Sequence, residues 1–191
     1  NSTFYSGLFA CIGGKGSVKN LTLENAEING TNYIGGIAGY SLGTVTNCSV
    51  SGKINYLFEN TYKVFVGGIA GKIENKLDKC DSDVESHIGG IAGEMSFGNY
   101  SNFITETYSN VNIEVDSNSK MCAGGLFGRI IGSGSVNLEK CYVTGEITVN
   151  TMDYGACYGG GLIGEVYSNY GDINNCYSTA EITVNSGYRK Y

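Results

Sequence analysis

The chain has 191 residues, of which 41% are hydrophobic and 16% charged, and its formal net charge is −6. That length suits one domain or a stack of small repeated units. An acidic chain without Lys/Arg runs is a poor partner for nucleic acid or anionic lipid, and no stretch approaches the ~18 apolar residues of a membrane-spanning helix.

Glycine (30) and tyrosine (15) are abundant and proline is absent. No segment sustains a 3.6-residue apolar period, so short strands and tight turns are expected, with almost no helix. A Gly-hydrophobic-hydrophobic-small element opens at Gly7 ("GLFA"), Gly36, Gly68 and Gly90 ("GIAG" each), Gly125 ("GLFG") and Gly161 ("GLIG"), at spacings of 29, 32, 22, 35 and 36 residues. About ten residues after each comes a second segment, among them "VTNCSVSGKI", "LEKCYVTGEI" and "INNCYSTAEI". One column of these segments reads Leu21, Cys48, Cys80, Thr107, Cys141 and Cys176. Two residues on lie Leu23, Val50, Ser82, Ser109, Val143 and Ser178, which share its inward face by the period-two alternation of a strand. The column between, Thr22, Ser49, Asp81, Tyr108, Tyr142 and Tyr177, should point outward. A third short strand follows in most copies, marked by Ile54, Ile113, Ile147 and Ile182, and the short third copy should lose or shorten it.

A unit of two or three such strands cannot bury its apolar face alone and must stack on its neighbours. The expected fold is therefore all-β, a right-handed parallel β-solenoid of six coils over approximately 5–31, 32–63, 64–85, 86–119, 120–155 and 156–191. A β-sandwich of the same strands is the competing architecture, and the strict column register argues against it. Ile34 and Ile37 flank Gly35 and Gly36, so a bend at the glycine pair is expected to turn both inward. Repeats run from Tyr5 almost to Tyr191 without a polar cap, so the ends are expected to stack on other copies of the chain or on the rest of a longer surface protein.

"GGIAGYSLGTVTNCSVSGKI", "GGLFGRIIGSGSVNLEKCYVTGEI" and "GGLIGEVYSNYGDINNCYSTAEI" resemble GLUG repeats, named for a Gly-Leu-x-Gly element followed by a Gly/Asn turn and an "xxNCYxxGxI" strand. Thr107 at the cysteine column and the short third copy depart from that pattern. The resemblance implies a large secreted or surface-attached protein, such as adhesin-like proteins and immunoglobulin A1 protease precursors, with the repeats forming β-solenoid outside any catalytic domain. The zinc-protease H-E-x-x-H motif is absent, and the single histidine, His87, has no recognisable nucleophile partner.

No catalytic residue, metal site or cofactor is therefore expected, and the function implied is structural or adhesive. Cys48, Cys80, Cys141 and Cys176 read as a ladder of core thiols, since free cysteine behaves as a small hydrophobe. Bridges within this ladder are in range but need distortion. Cys122 and Cys157 precede consecutive glycine pairs, one register apart, and are the candidate disulfide. Glu146 and Glu181 share an outward column that resembles a glycosidase carboxylate pair, on a smooth face that reads better as solvated. "DKCDSDVES" is dense in oxygen ligands but lacks any calcium-loop pattern. Outward aromatics form two columns. Tyr108, Tyr142 and Tyr177 make one, and Tyr33, Phe65 and Tyr158, with His87 and Cys122, make the other. They read as strand-stabilising ladders or as a stripe for a glycan or a host protein. Sequons at Asn1, Asn20, Asn29, Asn47 and Asn99 are candidate glycosylation sites, with Asn20 and Asn47 close enough to crowd.

Overall fold

A computed structural model describes residues 4–56, 64–86, 88–117, 121–151, 157–168 and 171–186. The second coil shows the repeating unit. It runs through strands Tyr33–Gly35, Ala38–Ser41, Thr44–Thr46 and Ser49–Tyr56. Each pairs in parallel with its counterpart in the coils before and after, so the sheets run along the stack rather than within a coil. The described chain contains strands and no helix, and the parallel β-solenoid follows.

Two details differ from the sequence reading. The cysteine segment and the third strand are one continuous strand in the first five coils, as in Ser49–Tyr56 and Tyr142–Thr151. They separate, into Tyr177–Ser178 and Glu181–Ser186, only in the last coil. The third coil shortens this strand to Asp81–Ser86. The predicted registers hold throughout: Ser49 pairs with Asp81, Asp81 with Tyr108, Tyr108 with Tyr142 and Tyr142 with Tyr177.

The cysteine column itself lies at a corner, not inside a strand. The residue before it is left-handed in every coil: Asn20, Asn47, Lys79, Glu106, Lys140 and Asn175 have φ between 47° and 55°. A non-glycine side chain rarely adopts this conformation, though Asn does so most readily. The turned backbone is held by the column residue. Cys48 Sγ donates to the Thr46 carbonyl at 3.2 Å, Cys80 to Asp78 at 3.3 Å, Cys141 to Glu139 at 3.4 Å and Cys176 to Asn174 at 3.2 Å. Thr107 makes the same bond through Oγ1, to Thr105 at 3.1 Å. Those carbonyls also accept the N–H of the left-handed residue in the preceding coil, as Thr46 does from Asn20 and Asp78 from Asn47. Cysteine and threonine are interchangeable here because each puts a small donor over the same backbone carbonyl.

The core is a set of apolar rows along the axis. Ile37, Ile69, Ile91 and Leu126 are fully buried, as are Val45 and Leu77, and Ile54, Ile113 and Ile147. Each fully buried side chain of this size contributes about 1.5–3 kcal/mol. The last glycine of each "GGIAG" serves close packing. A Cβ on Gly71 would stand 2.6 Å from Ile34 N and 2.7 Å from the Gly39 carbonyl, and one on Gly13 would meet nothing within 4 Å.

Two outcomes are expected in urea unfolding. Gly71→Ala should cost about 1–3 kcal/mol by overpacking, whereas Gly13→Ala should stay within ~0.5 kcal/mol of the parent. Thr107→Cys should be nearly neutral, while Thr107→Val, which removes the donor, should cost about 1 kcal/mol.

Candidate functional site

The glycine pair makes a corner that folds the chain onto itself. Ile34 and Ile37 are both fully buried, as are Val66 and Ile69 in the next coil, so the bend turns both flanking residues inward as expected. A Cβ on Gly35 would meet the Ala38 carbonyl at 2.4 Å, and one on Gly39 would meet the Tyr33 carbonyl at 2.9 Å. The two strands at this corner therefore touch backbone to backbone, and their outward side chains converge over it. Tyr33 and Tyr40 lie with ring centroids 6.0 Å apart across the corner. Along the axis, Tyr33 packs against Tyr5 and Phe65, each at 5.1 Å, and Tyr5 stacks on Tyr40 at 5.7 Å.

The second side of this corner carries a charged row that the column reading did not single out. Cys11, Tyr40, Lys72, Glu94, Arg129 and Glu165 stand in register, one per coil. Glu94 and Glu165 are buried, and each has a cation beside it. Lys72 Nζ lies 3.1 Å from Glu94 and 3.0 Å from Glu74, and Arg129 Nε lies 2.9 Å from Glu165. Lys72 also sits 5.9 Å over the Tyr40 ring, and the Arg129 guanidinium 5.4 Å over Tyr167. Burial alone would lower the Lys72 pKa, but its bonds to Glu74 and Glu94 raise it. Burial would raise Glu74, but bonds from Tyr40 and Lys72 hold it below the usual carboxylate range. Tyr40 is pushed up by burial and by its bond to Glu74. Each buried carboxylate of the row is thus held beside a cation. The signal was present in the sequence, because every member from Tyr40 onward directly follows the last glycine of its coil's element.

Tyr108, Tyr142 and Tyr177 form a stack on another face. Their centroids are 4.2 and 5.3 Å apart, with ring planes at 27° and 9°. The rings use their faces on one another, and Tyr177 at the end of the stack is the exposed member. Glu146 and Glu181 are register partners on the outward face of this strand, with Lys53 and Asn112 on the same row. Of the acidic cluster, Asp78 accepts from Thr105 N and Oγ1 of the following coil, both at 2.8 Å, while Asp81 accepts from Ser49 of the preceding coil at 3.1 Å. These two carboxylates serve opposite neighbours. Among the described residues no three His, Cys, Asp or Glu side chains gather into a metal site.

The bridge expected between Cys122 and Cys157 is not formed; neither cysteine is in a disulfide. Cys122 pairs with Tyr158 and Cys157 with Met121, so the two differ by one position and point to opposite faces. Cys122 Sγ donates outward to Glu165 Oε2 at 3.3 Å, whereas Cys157 packs against the core. In the ladder, Cys48, Cys80 and Cys141 are buried and Cys176 is half-buried. Tyr158 is exposed and continues the Tyr33 and Phe65 row.

Asn20 and Asn47 share a row, and Asn47 Nδ2 donates to Asn20 Oδ1 at 2.7 Å. Asn29 Oδ1 accepts from Asn55 at 3.0 Å, and Asn99 accepts from Ser133. Asn1 and His87 lie outside the described residues.

Residues 30–55 match the family model described as the GLUG motif. Halomucin from Haloquadratum walsbyi (strain DSM 16790 / HBSQ001) is 35% identical to this chain over 68 residues, which are 36% of this chain and 1% of that protein. The chain thus spans a very small part of the curated relative it matches. No solved structure matches it significantly. The glycine corner, left-handed corner and long strand of the segment that matches the GLUG motif are the elements the other coils repeat.

Proposed function

We propose that the chain is a non-catalytic structural module of an extracellular or cell-surface repeat protein, a stalk, spacer or filament segment whose end coils stack on further coils. The observation that carries this reading is where apolar surface is left open. Eleven of the thirteen exposed large hydrophobics among the described residues lie in the first or the last coil. Several belong to rows that are buried elsewhere: Ile182 continues Ile147 and Ile113, Ile173 continues Leu138, and Val166 continues Ile130. Continuing the register onto the first coil of a second copy sets Tyr158 over Tyr5, Val166 over Ile12, Ile173 over Val18 and Ile182 over Ile28. Apolar meets apolar at each of these positions, and among the described residues the sheets end on each face in a strand with a ladder on one side. The GLUG match and the likeness to halomucin support the extracellular setting. The pairing of the buried carboxylates with cations supports the absence of acid–base chemistry.

A second reading, a glycan- or protein-binding module, is favoured by the Tyr5, Tyr33, Tyr40 and Phe65 cluster beside Lys72, where aromatic and polar groups converge over the glycine corner. The tyrosine stack favours it less, because most of its ring faces are already used.

Light scattering over a wide concentration range separates these readings. The stacking reading expects mass to rise with concentration, and Ile173→Asp with Ile182→Asp to weaken association at least ~10-fold, about 1.4 kcal/mol, with unchanged far-UV circular dichroism. A monomer at every concentration would defeat end-to-end stacking. Glycan-array binding lost on Tyr33→Ala would favour the second reading.

A further inference from the structure

Two exposed large hydrophobics among the described residues lie away from the end coils, and both are in the fourth coil: Tyr100 is 49% exposed and Phe103 62%. A coil stacked on either end would cover neither. Tyr100 stands where the fourth coil differs from the fifth. Phe97 pairs with Gly132 and Asn102 with Val136, so the fourth coil takes five steps between two strands where the fifth takes four. The longer turn is fixed on both sides. Tyr100 Oη donates to the Glu74 carbonyl of the third coil at 2.8 Å. Toward the fifth coil, Ser133 Oγ donates to Asn99 Oδ1, and the Ser135 and Ser101 hydroxyls bond at 2.7 Å. A Cβ on Gly134 would overlap the Tyr100 carbonyl, so these two turns touch backbone to backbone.

The three turns frame an open cleft of about 370 Å³, with Glu74, Ser96, Phe97, Tyr100, Gly132 and Ser133 among its walls. That is near the lower end of the ~300–1,000 Å³ of small-molecule sites. A Cβ on Gly132 would run into the Phe97 ring, so glycine there makes room for the aromatic wall. The lining selects by charge. It contains no Lys, Arg or His, and its one charged group, the Glu74 carboxylate, already has Lys72 Nζ at 3.0 Å. An anion therefore finds no cation to pair with, and a cation finds a carboxylate already paired. Glu74 accepts from Tyr40, Lys72 and Ser96, which leaves about one of its roughly four acceptor positions for a ligand hydroxyl. Serine hydroxyls both donate and accept. Fixed aromatic rings beside hydroxyls and a paired carboxylate suit a neutral ligand with an apolar face and a rim of hydroxyl groups, and a hexose ring has that form.

We propose that this cleft binds a disaccharide-length segment of a neutral glycan, with the C–H face of one sugar ring on Tyr100 and ring hydroxyls bonded to Glu74, Ser96 and Ser133. Tyr100 is held from the third coil and from the fifth, so little ordering is lost on binding. The site is separate from the cluster of Tyr5, Tyr33 and Phe65, and it is independent of end-to-end stacking. A stacked stalk carries one such site per chain on its side.

The test titrates cellobiose, maltose, lactose and N,N′-diacetylchitobiose into the full chain, isotope-labelled and made in a bacterial host so that the Asn99 sequon carries no glycan. At least one should bind with a Kd of about 1 mM or tighter and shift amide resonances within 74–76, 96–101 and 132–134. Tyr100→Ala should weaken that binding about tenfold or more without moving the urea midpoint, while Tyr33→Ala and Tyr177→Ala leave it within about twofold of the parent. If Tyr100→Ala lowers the midpoint, the shifted amides of the parent chain decide the place of binding. Shifts confined to other turns, a loss on Tyr33→Ala but not on Tyr100→Ala, or no binding of any of the four sugars would overturn the proposal.

Discussion

Everything in this molecule hangs on the parallel pairing of one coil with the next. Each coil's strands find their hydrogen-bond partners only in its neighbours, and none can bury its apolar residues alone. In-register pairing carries a strict demand. Whatever residue occupies a position in one coil must tolerate the equivalent residue about 4.8 Å above and below it. Like residues therefore recur: isoleucine on isoleucine in the core, tyrosine on tyrosine on one face. In the row beside the glycine corner opposite charges alternate instead, as from Lys72 to Glu94 and from Arg129 to Glu165, whereas the solvated face tolerates Glu146 beside Glu181.

The corners answer the same demand. At the glycine corner, two strands of one coil meet without side chains between them, while a neighbouring coil presses on the same atoms: a Cβ on Gly35 would meet both the Ala38 carbonyl and Ala70 Cα at 2.4 Å. At the other corner the chain turns through a left-handed residue whether that residue is Asn, Lys or Glu. The cost of that conformation is offset by a donor repeated in five of the six coils, four times a thiol and once a hydroxyl. The cysteine column is thereby a capping device before it is anything else.

Much of this was legible in the chain itself. Repeat spacing placed the columns, and the columns placed the registers, down to the pairing of Asp81 with Tyr108 across a much shortened third repeat. The charged row after the last glycine of each element was equally written there. It went unread because Tyr, Lys, Glu and Arg do not resemble one another, and a search for likeness passes over a row whose logic is complementarity. Cys122 and Cys157 show the opposite error. Proximity along the chain to matching glycine pairs suggested a bridge, but an offset of one residue reverses the face of a strand.

The sequence by itself determined that the chain stacks as coils, which residues lie on each row, and that the glycine pairs bend the strands so that both flanking residues turn inward. These follow from periodicity, and a strand's two faces and a glycine's freedom are local properties. Only the tertiary structure decided that Tyr33 and Tyr40 meet over the corner, that Glu94 and Glu165 are buried beside cations, and that the cysteines cap carbonyls rather than bridge. Those outcomes depend on the angle at which two strands of a coil meet and on atoms contributed by the neighbouring coil. Neither is encoded at any single position, and both exist only once the stack has formed.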